Sequence, residues 1–308
     1  MPTRSFTDRL AAGETLLLDG ATGSELHKRG VNVSKGATPD KLGPWTATTN
    51  IDAPEIVRAV HEDYLRLGVD ILTSNNFWTS RARLALVGLG DEWERYTRAA
   101  AELALAARDA SNPEAYVAGG IAPPVHGDLR AEFLDQTRVL AEMGVDLMLA
   151  EYVGPIADCV TAVEACATSG LPVVLGVRHV TLEGTLQYGE SFEELAAALT
   201  GRRLDAILLM CSSPDAISAS LPRLRAAYDG PIGAYANIGY AKNPDYTAAP
   251  GEQWHTIDQH TYAPARYAMF AREWLGMGAQ IIGGCCATGP EHIAALREVL
   301  NAEAVTAV

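Results

Sequence analysis

Short apolar runs recur along the chain at 15–19, 71–76, 115–120, 147–151, 173–177, 206–211, 232–237 and 280–284. Each is brief and bounded by Gly, Pro or charge, as strands buried on both faces should be. Between them apolar positions return every three or four residues. In 54–67, Ile56, Val57, Val60 and Tyr64 share one face, with Glu55, Arg58, Glu62 and Arg66 largely opposite. Pro54 suits the first turn of that helix. The stretches 156–168, 214–224 and 290–301 also predict helices. Strand–helix alternation implies a parallel sheet, and eight such units in one uninterrupted chain predict a single (β/α)8 TIM barrel over 1–308. A doubly wound sheet would want a G-x-G-x-x-G loop after its first strand. Asp19-Gly20-Ala21-Thr22-Gly23 lacks that spacing.

A barrel builds its active site where the strands end. Asp19 closes the first apolar run, Ser74-Asn75-Asn76 the second, Gly119-Gly120 the third and Glu151 the fourth. Cys211 closes the sixth, Asn237 the seventh and Cys285-Cys286 the eighth. Any one of these is ordinary loop chemistry, but their recurrence along the chain points to one mouth.

Composition narrows the classes. The 308 residues are 48% hydrophobic, with no run near the ~20 apolar residues of a membrane span. Residues 1–10 carry Arg4, Asp8 and Arg9 and lack the apolar core of a signal peptide, so a cytoplasmic protein is expected. A net charge of −14 argues against nucleic acid and mildly favours cationic ligands. Oligomeric state is not legible.

The five cysteines are too few and too unevenly placed for a disulfide framework. Adjacent Cys285 and Cys286 would close a strained ring. Two thiolates on neighbouring residues instead suit two corners of a zinc tetrahedron if the backbone turns there, and Gly283-Gly284 would permit the turn. A third thiolate would complete a site with one open position. Cys159 and Cys166 sit inside a predicted helix and read as small buried hydrophobes, whereas Cys211, at a strand end, reads equally as ligand or core.

Gly283-Gly284-Cys285-Cys286 with Thr288, Pro290 and Ile293 resembles the signature of the homocysteine S-methyltransferase family. Leu17-Leu18-Asp19-Gly20-Ala21-Thr22-Gly23, Ser74-Asn75-Asn76-Phe77, the segment Val117 to Pro123, Gly144 to Glu151 and Tyr235-Ala236-Asn237 resemble further family segments, in order. The resemblance implies a zinc-dependent (β/α)8 enzyme. It places the metal ligands on Cys211, Cys285 and Cys286, and homocysteine contacts on Asp19, Gly20 and Glu151, with Ser74, Asn75 and Asn237 near the substrate. Four positions depart from the pattern: Met210 for Asn, Tyr152 for Thr, Asn76 for Thr, and Tyr188-Gly189 where Asp-Gly is common.

The residue types suit the chemistry that the resemblance implies. Zinc deprotonates a coordinating thiol, so no separate general base is needed. The expected reaction moves a methyl group from a small onium donor, such as S-methylmethionine or betaine, to the homocysteine thiol, forming methionine. Asp19 and Glu151 would accept the substrate ammonium. Aromatic residues near strand ends, Trp45, Phe77, Trp78, Tyr152 and Tyr188, are candidate donor contacts. His27, His61 and His292 fall on helices as packing or surface residues, and His126 and His179 follow strand ends. Other readings are the same zinc chemistry on another thiol or selenol, a partner-supplied methylcobalamin donor, and a non-catalytic zinc or thiol-redox protein.

Overall fold

The computed structural model describes residues 2–37, 43–124, 126–239 and 261–306, without side chains beyond 303. Its strands are β1 (Leu16–Leu17), β2 (Ile71–Thr73), β3 (Tyr116–Ile121), β4 (Leu147–Val153), β5 (Val173–Arg178), β6 (Ala206–Met210), β7 (Ile232–Ala236) and β8 (Ala279–Gly284). They form one parallel sheet in the order β1-β8-β7-β6-β5-β4-β3-β2. A bridge between Leu18 and Ile71 brings the two ends together. The Asp70 amide donates to the Leu17 carbonyl at 2.8 Å and the Asp19 amide to the Ile71 carbonyl at 3.1 Å, which closes the barrel.

Alternation along the strands divides the core. Leu16, Leu18, Ile71, Tyr116, Ala118, Leu147, Leu149, Val174, Leu208, Tyr235 and Ile281 pack inside the barrel. Leu17, Leu72, Val117, Met148, Leu175, Ile207, Ala234 and Ile282 pack outward against the helices. Both faces are therefore buried, which is why the strands read as nearly continuous apolar runs. The short helix Phe6–Ala11 plugs the interior opposite the strand C-termini, with Phe6 edge-on to Tyr116 at 5.7 Å.

The amphipathic stretches form helices Pro54–Arg66, Ile156–Ala167, Pro214–Ala227 and Pro290–Thr306. β1 and β2 are each three residues shorter than their apolar runs, and β6 and β7 each one shorter. Residues 74–76 leave β2 because the Asn76 amide turns back to the Ser74 carbonyl at 2.7 Å. β1 spans only Leu16–Leu17, but its line continues: the Leu18 amide bonds the Ile282 carbonyl at 2.8 Å and the Gly284 amide the Asp19 carbonyl at 3.0 Å, so both residues join β8 as well as β2.

Candidate active site

The strand C-termini surround a cavity of about 1050 Å³, counted out to its open mouth. Asp19, Gly20, Ser74, Asn75, Glu151, Asn237, Cys211, Cys285 and Cys286 all line it, as do Trp45, Phe77, Trp78 and Tyr152.

Tyr188 does not, and it corrects the expectation for that residue. After β5 the chain makes two successive turns, the Thr181 amide bonding the Thr185 carbonyl and the Leu186 amide the Glu190 carbonyl, each at 3.0 Å. Leu186 is buried by this path and Tyr188 is carried outward, 57% exposed. Its hydroxyl accepts from Arg178 at 3.4 Å.

Among the described residues, six non-glycines have left-handed backbone: Trp45, Trp78, Tyr152, His179, Cys211 and Ala287. Four of them line the cavity. Such conformations persist only where the surroundings enforce them, and they gather at functional sites. Tyr152 lies near the end of β4, His179 and Cys211 immediately follow β5 and β6, and Trp45 opens the turn Trp45–Thr48. At the thiol pair the turn is made by Ala287, with φ 67°, and not by the preceding glycines. Gly284 serves by absence of bulk, since a Cβ there would lie 2.0 Å from the Thr288 hydroxyl. The Cys285 amide bonds the Ala236 carbonyl at 2.9 Å and the Ile238 amide bonds the Cys286 carbonyl at 3.1 Å, so β7 holds both cysteines in place.

The sulfurs of Cys211, Cys285 and Cys286 lie within 4.8 Å of one another, and those of Cys285 and Cys286 are 3.9 Å apart. Zn–S bonds of 2.3 Å in a tetrahedron put sulfurs about 3.8 Å apart. The donor set therefore fits a thiophilic metal. Its electrostatics agree. Hydrogen bonds with Cys211 and Cys286, together with burial, push the Cys285 thiol well above its usual range. Cys286, accepting from the other two, is held well below it. Only Cys286 is favoured as a thiolate in this cluster, and ionising all three at such separations would need a cation. Asn237 donates to the Cys211 sulfur at 3.4 Å and accepts from the Gly239 amide at 2.8 Å, so its side chain is engaged with the thiol cluster. Cys159 and Cys166 are fully buried outside the barrel, among helix-packing residues.

Two carboxyls complete the floor. Burial raises Glu151 to about 8, with Asp19 and Cys286 adding to the effect. Gly120 makes room for it, since a Cβ there would fall 2.6 Å from the Glu151 carboxyl oxygen. Burial also raises Asp19, to about 7, although it accepts from the Thr73 amide at 2.9 Å and the Thr73 hydroxyl at 3.0 Å. Among the described residues neither carboxyl has an ion-pair partner.

Asn75 is spent on scaffolding. It accepts from Thr46 at 2.8 Å and donates to Asn50 at 2.9 Å and to Thr49 at 3.2 Å. That network anchors the turn Trp45–Thr48 and so sets Trp45 against the cavity. Thr46, Thr49, Asn50 and Thr73 are roles that sequence reading missed. Lone threonines and asparagines carry no distinguishing pattern. The guanidinium of buried Arg83 lies 3.2 Å from the centroid of Trp78, and that of Arg178 lies 4.7 Å from Tyr152. His61 is fully buried with both ring nitrogens unpartnered, and burial lowers it to about 4. His292 is also buried, its Nε2 3.0 Å from the Tyr262 carbonyl.

The homocysteine S-methyltransferase family model matches residues 16–300. Betaine–homocysteine S-methyltransferase 1 of Rattus norvegicus is 28% identical over 97% of this chain and 75% of its own length. Homocysteine S-methyltransferase of Escherichia coli is 28% identical over 96% of this chain and 97% of its own. The metallated form of the homocysteine methyltransferase MmuM from Escherichia coli has the same fold, with a TM-score of 0.74 at 24% identity over 92% of this chain and 96% of that one. No helix among the described residues is long and apolar enough to cross a membrane. With its family match running from β1 into the last helix, this chain belongs to the homocysteine S-methyltransferase family and is an S-methyltransferase.

Proposed function

We propose that this enzyme methylates the thiol of homocysteine from a small onium donor and does so with zinc held by Cys211, Cys285 and Cys286. The carrying observation is one cavity in which three clustered thiols share the floor with two carboxyls that have no ion-pair partner among the described residues. The homocysteine methyltransferase MmuM from Escherichia coli, which shares the fold, has a metallated form. Bound there, zinc would supply Lewis acidity that keeps a coordinating thiol ionised at neutral pH.

The chain's own residues do the rest. Glu151 and Asp19 are raised toward neutrality by burial. An arriving ammonium gives each carboxylate a counter-charge, so the Glu151 carboxyl releases its proton to solvent and forms a charge-assisted bond. This fixes the amino-acid end of the acceptor and leaves its sulfur to face the cysteines. In-line transfer then depends on holding donor carbon and acceptor sulfur in near-attack geometry.

The aromatic walls are not equivalent. Arg83 covers one face of Trp78 and Arg178 one face of Tyr152. A ring already engaged by one cation is a poorer site for a second. The onium group is therefore assigned to the ring of Phe77, which lines the same cavity. The guanidiniums behind Trp78 and Tyr152 favour a donor that also carries a carboxylate.

The test is methionine formation from homocysteine against a panel of sulfonium and betaine donors, with zinc measured on the same preparation. Turnover with a carboxylate-bearing onium and about one zinc per chain is expected. Full turnover by metal-free protein would overturn the metal assignment.

A further inference from the structure

Met210 is the last residue of β6 and immediately precedes Cys211. Its thioether is 2% exposed and accepts two hydrogen bonds, from the Tyr152 amide at 2.8 Å and from the Tyr235 hydroxyl at 2.9 Å. Both separations are shorter than sulfur's large radius ordinarily allows, so the sulfur is wedged tightly between the two donors, and a thioether is only a weak acceptor. Among the described residues the Tyr235 hydroxyl has no other acceptor.

The surroundings converge on the same atom. The β4–β5 register shifts between Ala150 and Val153, and Tyr152 within that shift is left-handed, with φ 61°. On β5, Gly176 leaves the space open. A Cβ there would lie 2.4 Å from the Tyr235 hydroxyl, 2.9 Å from the Met210 sulfur and 3.2 Å from the Glu151 Cα. Strands β4, β5, β6 and β7 therefore meet around one sulfur at the cavity wall, which Met210 and Tyr235 both line.

We propose that Met210 is a positioning residue. Its sulfur pins the turn at Glu151–Tyr152 and the Tyr235 ring at a fixed place relative to Cys211. The carboxyl that would hold the acceptor's ammonium is thereby set against the thiol that would hold the metal. The consequence for homocysteine rests on the acceptor reading above, whereas the pinning of the turn does not.

Two variants separate hydrogen bonding from packing. Met210→Leu keeps volume and removes the acceptor, a swap that cores tolerate. Met210→Gln supplies an amide oxygen on a side chain of similar length. Amide exchange at Tyr152 and calorimetric homocysteine affinity are measured on zinc-replete protein, with zinc content as a third readout.

In Met210→Leu the orphaned donors should speed Tyr152 exchange by about tenfold and raise the homocysteine dissociation constant by about tenfold, at unchanged zinc content. Met210→Gln should bring both back to within about threefold of the parent. Unchanged Tyr152 exchange in Met210→Leu overturns the proposal. Equal impairment of both variants also overturns it, since that outcome means packing alone. A parent enzyme that fails to bind homocysteine refutes the acceptor reading, while the exchange measurement still decides whether Met210 pins the turn.

Discussion

Asp19 and Asp70 sit at opposite ends of the same strand pair and do the same local job with different partners. Asp70 accepts from the Leu17 amide at 2.9 Å, and Arg9 and Arg297 each bond it at 2.9 Å. Asp146 repeats the device two strands along, accepting from the Val117 amide at 2.8 Å and from Arg108 at 2.9 Å. Asp205 makes the same bond to the Val173 amide, at 2.7 Å, with no ion-pair partner among the described residues. All three stand at strand starts. Asp19, at a strand end, also staples the neighbouring strand through the Thr73 amide at 2.9 Å, yet no cation faces it among the described residues. A carboxylate with its cation built in holds the barrel together. One left without a cation, in a cavity, is available to a ligand's cation. That division matches the general separation of stability and catalysis between the two ends of such barrels.

The comparison breaks most severely at the thiols. Cys211→Ala, Cys285→Ala and Cys286→Ala should each lose zinc on dialysis and with it all turnover, whereas Cys159→Ala and Cys166→Ala should retain both. Metal analysis decides this directly, and a Cys211→Ala protein with a full complement of zinc would refute the three-cysteine assignment.

Next in size is recognition. Glu151→Gln should keep zinc and raise the homocysteine dissociation constant by about one to two decades, the worth of a charge-assisted bond of roughly 1.5–3 kcal/mol. Calorimetry and zinc content on one preparation separate the cases. Normal binding would remove Glu151 from the acceptor site, and loss of zinc would make it part of the metal support.

The two aspartates sharpen the contrast further. Asp70→Asn removes the carboxylate that Arg9 and Arg297 share and should lower unfolding free energy by about 1–3 kcal/mol, with homocysteine affinity within about twofold of the parent. Asp19→Asn should show the reverse, with weakened homocysteine binding and stability changed by less than about 1 kcal/mol. If Asp19→Asn unfolds as readily as Asp70→Asn, the two ends are not specialised in this way.

The barrel was legible because burial on both faces writes eight apolar runs into the chain, and each strand found overlaps its run. The mouth was legible where chemistry is rare, as in a vicinal cysteine pair or a carboxyl after an apolar run. It was not legible where common residues act through partners distant in sequence. Thr73 meets Asp19 across 54 positions and Met210 meets Tyr152 across 58. Asn75 was visible as a polar strand end, but its engagement with Thr46, Thr49 and Asn50 emerges only once the chain is folded. The turn at the thiol pair was assigned to glycines because they are the usual left-handed residues, while the fold puts that conformation on Ala287.

The smallest expected effect marks where the functional half of the molecule ends. Tyr188 follows a strand end, as Tyr152 does, and an aromatic residue there reads as a donor contact. The two differ in backbone path. Tyr152 turns inward through its left-handed backbone and packs edge-on to Phe77 at 5.6 Å, on the cavity wall. Tyr188 stands at the tip of a turn outside the wall, touching Arg178. Tyr188→Ala should therefore change the donor KM by less than about twofold, the scale of an exposed contact. Phe77→Ala should raise it by about tenfold, through lost burial and lost cation–π contact. Steady-state kinetics at saturating homocysteine distinguish them. A tenfold rise in Tyr188→Ala would mean that the 179–190 loop reaches over the donor during turnover, and the boundary drawn by the cavity lining would have to move outward to include it.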